Sequence, residues 1–260
     1  MAKFIFKTKP EMVKVNGESK TIWLLKSEEF DAFNPTILGL GDISSRSAQV
    51  EAIAAIFDLS GFTNFCNQVD PYLSVPEYLS RFLEWLFNKI KDEFLQKTHT
   101  EGKELWAELP FLAKFLGDGV LFLWDTGNMA DYEIRNVIVQ NRRICEAYAT
   151  DFYPEIRKEV VNPPMALRCG IARGRVFSVG NGNDYVGPCI NIASRLQRLG
   201  VGFCFSRRGF DIEKMAASAK AMYVLKSTSI RGIGEAELVY LVKEGFDNLP
   251  DDEKRAFRTP

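Results

Sequence analysis

The 260-residue chain is long enough for one large domain or two small ones. Its 46% apolar and 12% aromatic content supplies a sizeable core and excludes collagen-like, low-complexity and disordered chains. Lys and Arg number 33 against 34 Asp and Glu, so a formal charge of −1 gives no global field toward nucleic acid or an anionic membrane, and a single histidine, His99, excludes most zinc hydrolases.

Residues 1–45 alternate short apolar stretches (Phe4-Ile5-Phe6, Thr21 to Leu25) with Gly and Pro, which predicts a small β-rich extension. From Val50 the pattern changes. Ala52 to Phe57 reads as a buried strand that stops at Asp58-Leu59-Ser60-Gly61-Phe62-Thr63, where a helix begins. Tyr78 to Phe94 places Leu79, Phe82, Leu83, Leu86, Phe87, Ile90 and Phe94 at three- and four-residue spacing, an amphipathic helix. A polar linker from Gln96 to Glu108 follows. Phe111 to Leu116 and Val120 to Trp124 flank Gly117-Asp118-Gly119, a hairpin with an acid in its turn. Asp131 to Val160 is helical by period and ends at Asn162-Pro163-Pro164; Ala166 to Val179 is strand-like, a Gly/Asn loop spans Gly180 to Asn183, and Cys189 to Leu199 is a helix. Phe203 to Phe205, Met222 to Leu225 and Leu238 to Val242 are later strands. This order predicts an α+β fold, a ferredoxin-like or palm antiparallel sheet with helices packed on one face, over residues 46–245, and a polar tail over 246–260.

The five cysteines show no C-x-x-C spacing, and their odd count in a Phe-rich core predicts reduced, packed thiols and a cytoplasmic compartment. Met1 to Glu11 lacks an apolar stretch with a small-residue cleavage site, and no apolar run approaches the roughly 20 residues of a membrane helix. No membrane and no nucleic-acid partner is expected.

Asp58 at a strand end and Asp118 in a turn bring two carboxylates to one sheet edge if their strands are neighbours, a site for Mg²⁺ or Mn²⁺ completed by substrate phosphates. Taken singly, each also suits a plainer role, as helix N-cap and turn residue. Gly61, Phe62 and Thr63 open a helix whose free amides can meet phosphate oxygens. Asn191 and Arg195, four apart on a helix, share a face where an amide and a guanidinium could orient a sugar and neutralise phosphate; a solvated surface pair is the alternative.

Together these residues resemble the class III nucleotidyl cyclases, the adenylate and guanylate cyclase homology domain. Phe57 to Thr63 resembles the family's F-x-D-I-x-G-F-T, Lys114 to Asp118 its K-T-I-G-D, and Gly187 to Arg195 its G-x-x-V-N-x-A-x-R, in the family's order over about residues 50 to 243. The N-terminal extension stays outside the resemblance. It implies two metals per site held by Asp58 and Asp118 with the Leu59 carbonyl, phosphates at Gly61, Phe62 and Thr63, and a transition state stabilised by Asn191 and Arg195 from the partner subunit of a head-to-tail homodimer. Lys114 and Asp184 fall where adenine-selective members carry a Lys and an Asp. Arg231 in Arg231-Gly232-Ile233-Gly234 stands where the family has a phosphate-binding lysine. Phe115 replaces a smaller Thr beside Lys114 and adds bulk to the base-binding pocket, and Asp58 and Asp118 lie 60 positions apart, which suggests an insertion around 96–108. Lys114 to Trp124, Gly187 to Leu199 and Ser206 to Asp211 look like the stand-alone bacterial Pycsar cyclases, which make cyclic UMP or cyclic CMP as an anti-phage signal. The implied reaction converts a nucleoside triphosphate to its 3′,5′-cyclic monophosphate and pyrophosphate, with UTP or CTP favoured over ATP. A degenerate domain that only binds nucleotide and regulates is the second reading, and primer-directed nucleic-acid polymerisation, disfavoured by the neutral charge, is the third.

Overall fold

The structure, a computed structural model, describes residues 7–68 and 70–260. The apolar run Phe4 to Phe6 lies outside the described residues. The chain divides into two compact units, Met1–Ala48 with Phe177–Val186, and Gln49–Val176 with Gly187–Pro260.

The elements in chain order are β1 (Lys9–Val15), β2 (Glu18–Leu24), α1 (Ser27–Asp31), β3 (Gln49–Ser60), α2 (Phe62–Cys66), α3 (Pro71–Phe94), β4 (Leu95–His99) and β5 (Gly102–Leu105). They continue with β6 (Leu112–Phe115), β7 (Gly119–Asp125), α4 (Asp131–Ala147), a π turn at Tyr148–Phe152, α5 (Tyr153–Ile156), β8 (Ala166–Val179) and β9 (Asp184–Val186). Last come α6 (Pro188–Leu196), β10 (Phe203–Ser206), α7 (Ala217–Lys220), β11 (Tyr223–Ile230), β12 (Gly234–Val242), α8 (Lys243–Asp247), α9 (Asp251–Lys254) and β13 (Phe257–Arg258).

In the second unit the strands lie in the order β13-β11-β12-β10-β8-β3-β7-β6. β3–β7, β6–β7, β10–β12, β11–β12 and β11–β13 are antiparallel, whereas β10 runs parallel to β8, so the α+β sheet is mixed. β3 reads as an unbroken apolar run because both of its faces are covered. Phe57 and Leu59 face the large core with Tyr78, Phe82, Leu86, Ile90 and Phe94 of α3 and Ile134, Val137, Ile138 and Ile144 of α4. On α3 the five buried residues recur every fourth position, which gives the helix one continuous core stripe. The short helix α6 covers the opposite face. A Cβ on Gly170 of β8 would lie 2.3 Å from the Ala193 carbonyl and 2.5 Å from the Gln197 amide, so the helix backbone rests directly on that glycine.

Three segments depart from the sequence expectation. α3 begins at Pro71, seven positions before the periodic stretch, because proline suits the first helical position and Pro76 is carried inside the helix. Residues 95–105 form the separate antiparallel hairpin β4–β5, not a linker, with His99 Nε2 2.7 Å from Glu104 Oε2. The polar stretch 246–260 carries α9 and β13, and β13 pairs with β11.

In the first unit β1 and β2 make an antiparallel hairpin. Residues Leu40 to Ala48 bond to the hairpin formed by β9 and the last residues of β8, where Val179 pairs with Asp184 and Ser178 with Tyr185. All five cysteines are free thiols; Cys169, Cys189 and Cys204 are buried, and burial pushes the Cys189 thiol up to about 11. No helix among the described residues is long and apolar enough to cross a membrane.

Candidate active site

Asp58 sits two residues from the end of β3, opposite Gly119 of β7, and the Leu59 amide donates to the Asp118 carbonyl at 3.0 Å. The two aspartates are thus brought to one edge of the sheet by a single antiparallel pairing. The approach is tight. A Cβ on Gly119 would lie 2.1 Å from the Phe57 carbonyl, so only glycine lets the turn carrying Asp118 close against β3.

Asp58 is 7% exposed while Asp118 is exposed. Burial raises the Asp58 pKa, the Arg168 guanidinium opposes that rise through a hydrogen bond and its charge, Asp118 adds to it, and Arg198 opposes it. Arg168 Nη2 donates to Asp58 Oδ2 at 2.5 Å, and the buried Arg168 Nε has no hydrogen-bond partner among the described residues. Burial is the larger cause of the rise and the neighbouring Asp118 charge a smaller one. Burial and the Asp118 charge also push up the Cys66 thiol of α2, which places that helix beside the same acid.

Gly61 caps α2 in the left-handed region, φ 85°, and the Phe65 amide donates to its carbonyl at 3.0 Å. The amides of Phe62 and Thr63 precede that first helical bond. Among the described residues no group of three or more His, Cys, Asp or Glu side chains gathers as a metal site. The two carboxylates, brought together by the β3–β7 pairing, fit a hard divalent cation that completes its shell with phosphate oxygens and water.

Asn191 and Arg195 are both exposed on one face of α6. Arg195 Nη2 lies 3.6 Å from the position of a Cβ on Gly232, so its guanidinium reaches the β11–β12 turn that also carries Arg231. Lys114 and Phe115 are neighbours on the edge strand β6, paired with Leu121 and Val120. Strand alternation sends them to opposite faces. Val120 belongs to the α3 and α4 core, whereas Leu121 pairs with Ile56 on the Asp58 face. Lys114 therefore shares the Asp58 face and Phe115, 49% exposed, does not. Phe115, expected beside Lys114 at the base, is thus on the opposite face of β6. Asp184 belongs to the other unit, where its Oδ1 accepts from the Tyr185 amide at 2.8 Å.

Arg168 escaped the sequence reading. It lies within an apolar strand pattern, its partner is 110 positions away, and only the sheet order that sets β8 beside β3 joins them.

No protein-family model and no curated protein matches the sequence. Solved structures do share the fold. The guanylyl cyclase Cya2 aligns with a TM-score of 0.53 at 15% identity, over 76% of this chain and 94% of that one. The catalytic core of a rhodopsin-guanylyl cyclase with converted specificity, in complex with ATPαS, aligns at 0.51 and 16% over 76% and 98%. The guanylate cyclase domain of RhGC from Catenaria anguillulae, in complex with GTP, aligns at 0.50 and 16% over 75% and 98%. The fold is that of a cyclase catalytic domain.

Proposed function

We propose that the chain is a class III nucleotidyl cyclase. The observation that carries this is the Asp58–Asp118 pair at one sheet edge, within the fold of cyclase catalytic domains. The 3′-hydroxyl attacks the α-phosphorus, the bond to the β-phosphate oxygen breaks, the hydroxyl proton leaves to solvent, and pyrophosphate departs. When bound, two divalent cations, Mg²⁺ or Mn²⁺, supply a lowered 3′-hydroxyl pKa and neutralise phosphate charge. Asp58 and Asp118 with the Leu59 carbonyl would hold them.

The remaining roles follow the site residues. The amides of Gly61, Phe62 and Thr63 donate to phosphate oxygens. Arg195 stabilises the charge that develops at the α-phosphate and Asn191 orients the ribose, both from the second subunit of a head-to-tail homodimer. Arg231, in the turn that Arg195 reaches, serves as the phosphate cation in place of the family's lysine. Lys114, on the Asp58 face of β6, supplies a donor to the base edge, and Asp184 is the acceptor that the resemblance implies.

For the base we favour a pyrimidine, UTP or CTP, on the likeness of Lys114 to Trp124, Gly187 to Leu199 and Ser206 to Asp211 to the Pycsar cyclases. The product is then cyclic UMP or cyclic CMP, a cytoplasmic anti-phage signal. The test is product identification from an equimolar mixture of the four NTPs with Mn²⁺, alongside pyrophosphate release. A cyclic pyrimidine nucleotide as the main product is the expected result. Cyclic AMP as the dominant product overturns the base assignment alone, and nucleotide binding without pyrophosphate release makes the chain a regulatory binding module.

A further inference from the structure

One of the two oxygens of Asp58 is already taken. The Arg168 guanidinium donates through Nη2 to Oδ2 at 2.5 Å, so a carboxylate that could present both oxygens offers a cation Oδ1. The strand under the arginine is fixed. Arg168 stands on β8 between Leu167 and Cys169, both buried in the core, and the Cys169 amide donates to the Gly202 carbonyl at 2.7 Å. Two residues on, a Cβ at Gly170 would lie 2.3 Å from the Ala193 carbonyl oxygen of α6. The pair is also partly withdrawn from water, with side chains 26% exposed for Arg168 and 10% for Asp58. Asp118, by contrast, lies in an exposed turn. The number of oxygens a carboxylate can offer separates divalent cations. Mg²⁺ needs an octahedral shell at about 2.1 Å, and the two oxygens of one carboxylate sit too close together to fill two of its corners. Mn²⁺ takes the same kind of oxygen site. Ca²⁺ gathers about 6–8 oxygens at roughly 2.3–2.6 Å and accepts both oxygens of one carboxylate.

We infer that Arg168 sets the choice of cation: by holding Asp58 Oδ2 it keeps that carboxylate monodentate toward metal, which admits Mg²⁺ and Mn²⁺ and disfavours Ca²⁺. This rests on the metal role proposed for Asp58 and Asp118 and adds to it the residue that selects the ion. Arg168 is a positioning residue, because it acts through Asp58 and not on the cation. Its positive charge by itself weakens the binding of all three ions alike, since they carry the same charge. Occupation of one oxygen is what tells them apart.

The experiment titrates Mn²⁺ into the full chain, reads the free ion by electron paramagnetic resonance, and then competes the bound ion with Ca²⁺ and with Mg²⁺. Wild type, Arg168→Met, Arg168→Lys and Asp58→Asn are compared, with circular dichroism and the melting temperature reporting the fold. Arg168→Met should shift the ratio of Ca²⁺ to Mn²⁺ affinity toward Ca²⁺ by about tenfold, the lower end of what a residue orienting a metal ligand contributes, and leave the ratio of Mg²⁺ to Mn²⁺ unmoved. Arg168→Lys, which keeps a charged donor for Oδ2, should stay near the wild-type ratio. A folded Arg168→Met chain with the wild-type ratio of Ca²⁺ to Mn²⁺, even one that binds all three ions more tightly by a common factor, overturns the inference and leaves the metal role of Asp58 standing. If Arg168→Met does not fold, Arg168→Ser, polar but too short to reach Oδ2, is read by the same ratio and the same criterion. A wild-type chain that binds Mn²⁺ no better than Asp58→Asn overturns the metal role and this inference with it.

Discussion

At Asp58 burial and Arg168 pull in opposite directions, and burial wins. The folded carboxyl binds its proton more tightly than the unfolded one. Without metal, its contribution to stability therefore falls as pH rises from the ordinary carboxylate pKa, about 3.9, through the raised folded value. Asp58→Asn removes that slope. Denaturant titrations of both proteins in chelator, between about pH 4 and 7, should give a stability difference that shifts in favour of the variant as pH rises. In the same variant, and in Asp118→Asn, turnover should vanish while the circular dichroism spectrum stays that of the wild type. Cyclase rates near normal in either soluble variant would remove the metal role. Gly119→Ala tests the turn between the two acids. Its Cβ must displace the Phe57 carbonyl, so a loss of about 1–3 kcal/mol in stability and a larger loss in activity are expected from denaturation and rate assays.

Between neighbouring elements the stripe on α3 carries much of the packing. Leu86 is fully buried between β3 and α4 side chains, and Leu86→Ala should cost about 2–5 kcal/mol by denaturant titration. Phe115→Thr on the edge strand is the contrast. It should leave the ratio of purine to pyrimidine turnover unchanged, because the ring and Lys114 are on opposite faces of β6. Product ratios from mixed NTPs decide this. The long periodic helix, the Asp118 hairpin and β8 were legible in the sequence because a buried face prints its period on the chain. β4 and β5 were not, since an exposed hairpin has no such face to print. β9 is three residues long, too short to show alternation. Within the site, Asp58, Gly61 and Asp118 were legible as strand-end and turn residues with their own local patterns. The face that Phe115 occupies was set by pairing with Val120, a fact that residue spacing along β6 alone does not contain.

On the scale of the whole molecule the proposed site needs two copies, since Asp58 with Asp118 and Asn191 with Arg195 are assigned to different subunits. Mixing inactive Asp58→Asn with inactive Arg195→Ala under conditions of subunit exchange should recover activity from one intact site per heterodimer. A mixture that stays dead while exchange is shown by mass spectrometry removes the shared site. One contact adds a mechanical consequence. The backbone of α6 and the Leu196 Cβ lie directly against Gly170, so little compressible separates the helix from the sheet there. At that contact the backbone of α6, which carries Asn191 and Arg195, moves with the sheet. If the proposed shared site closes on a nucleotide, the movement falls to entire subunits, which X-ray scattering should register as a smaller radius of gyration when a non-hydrolysable nucleotide is added.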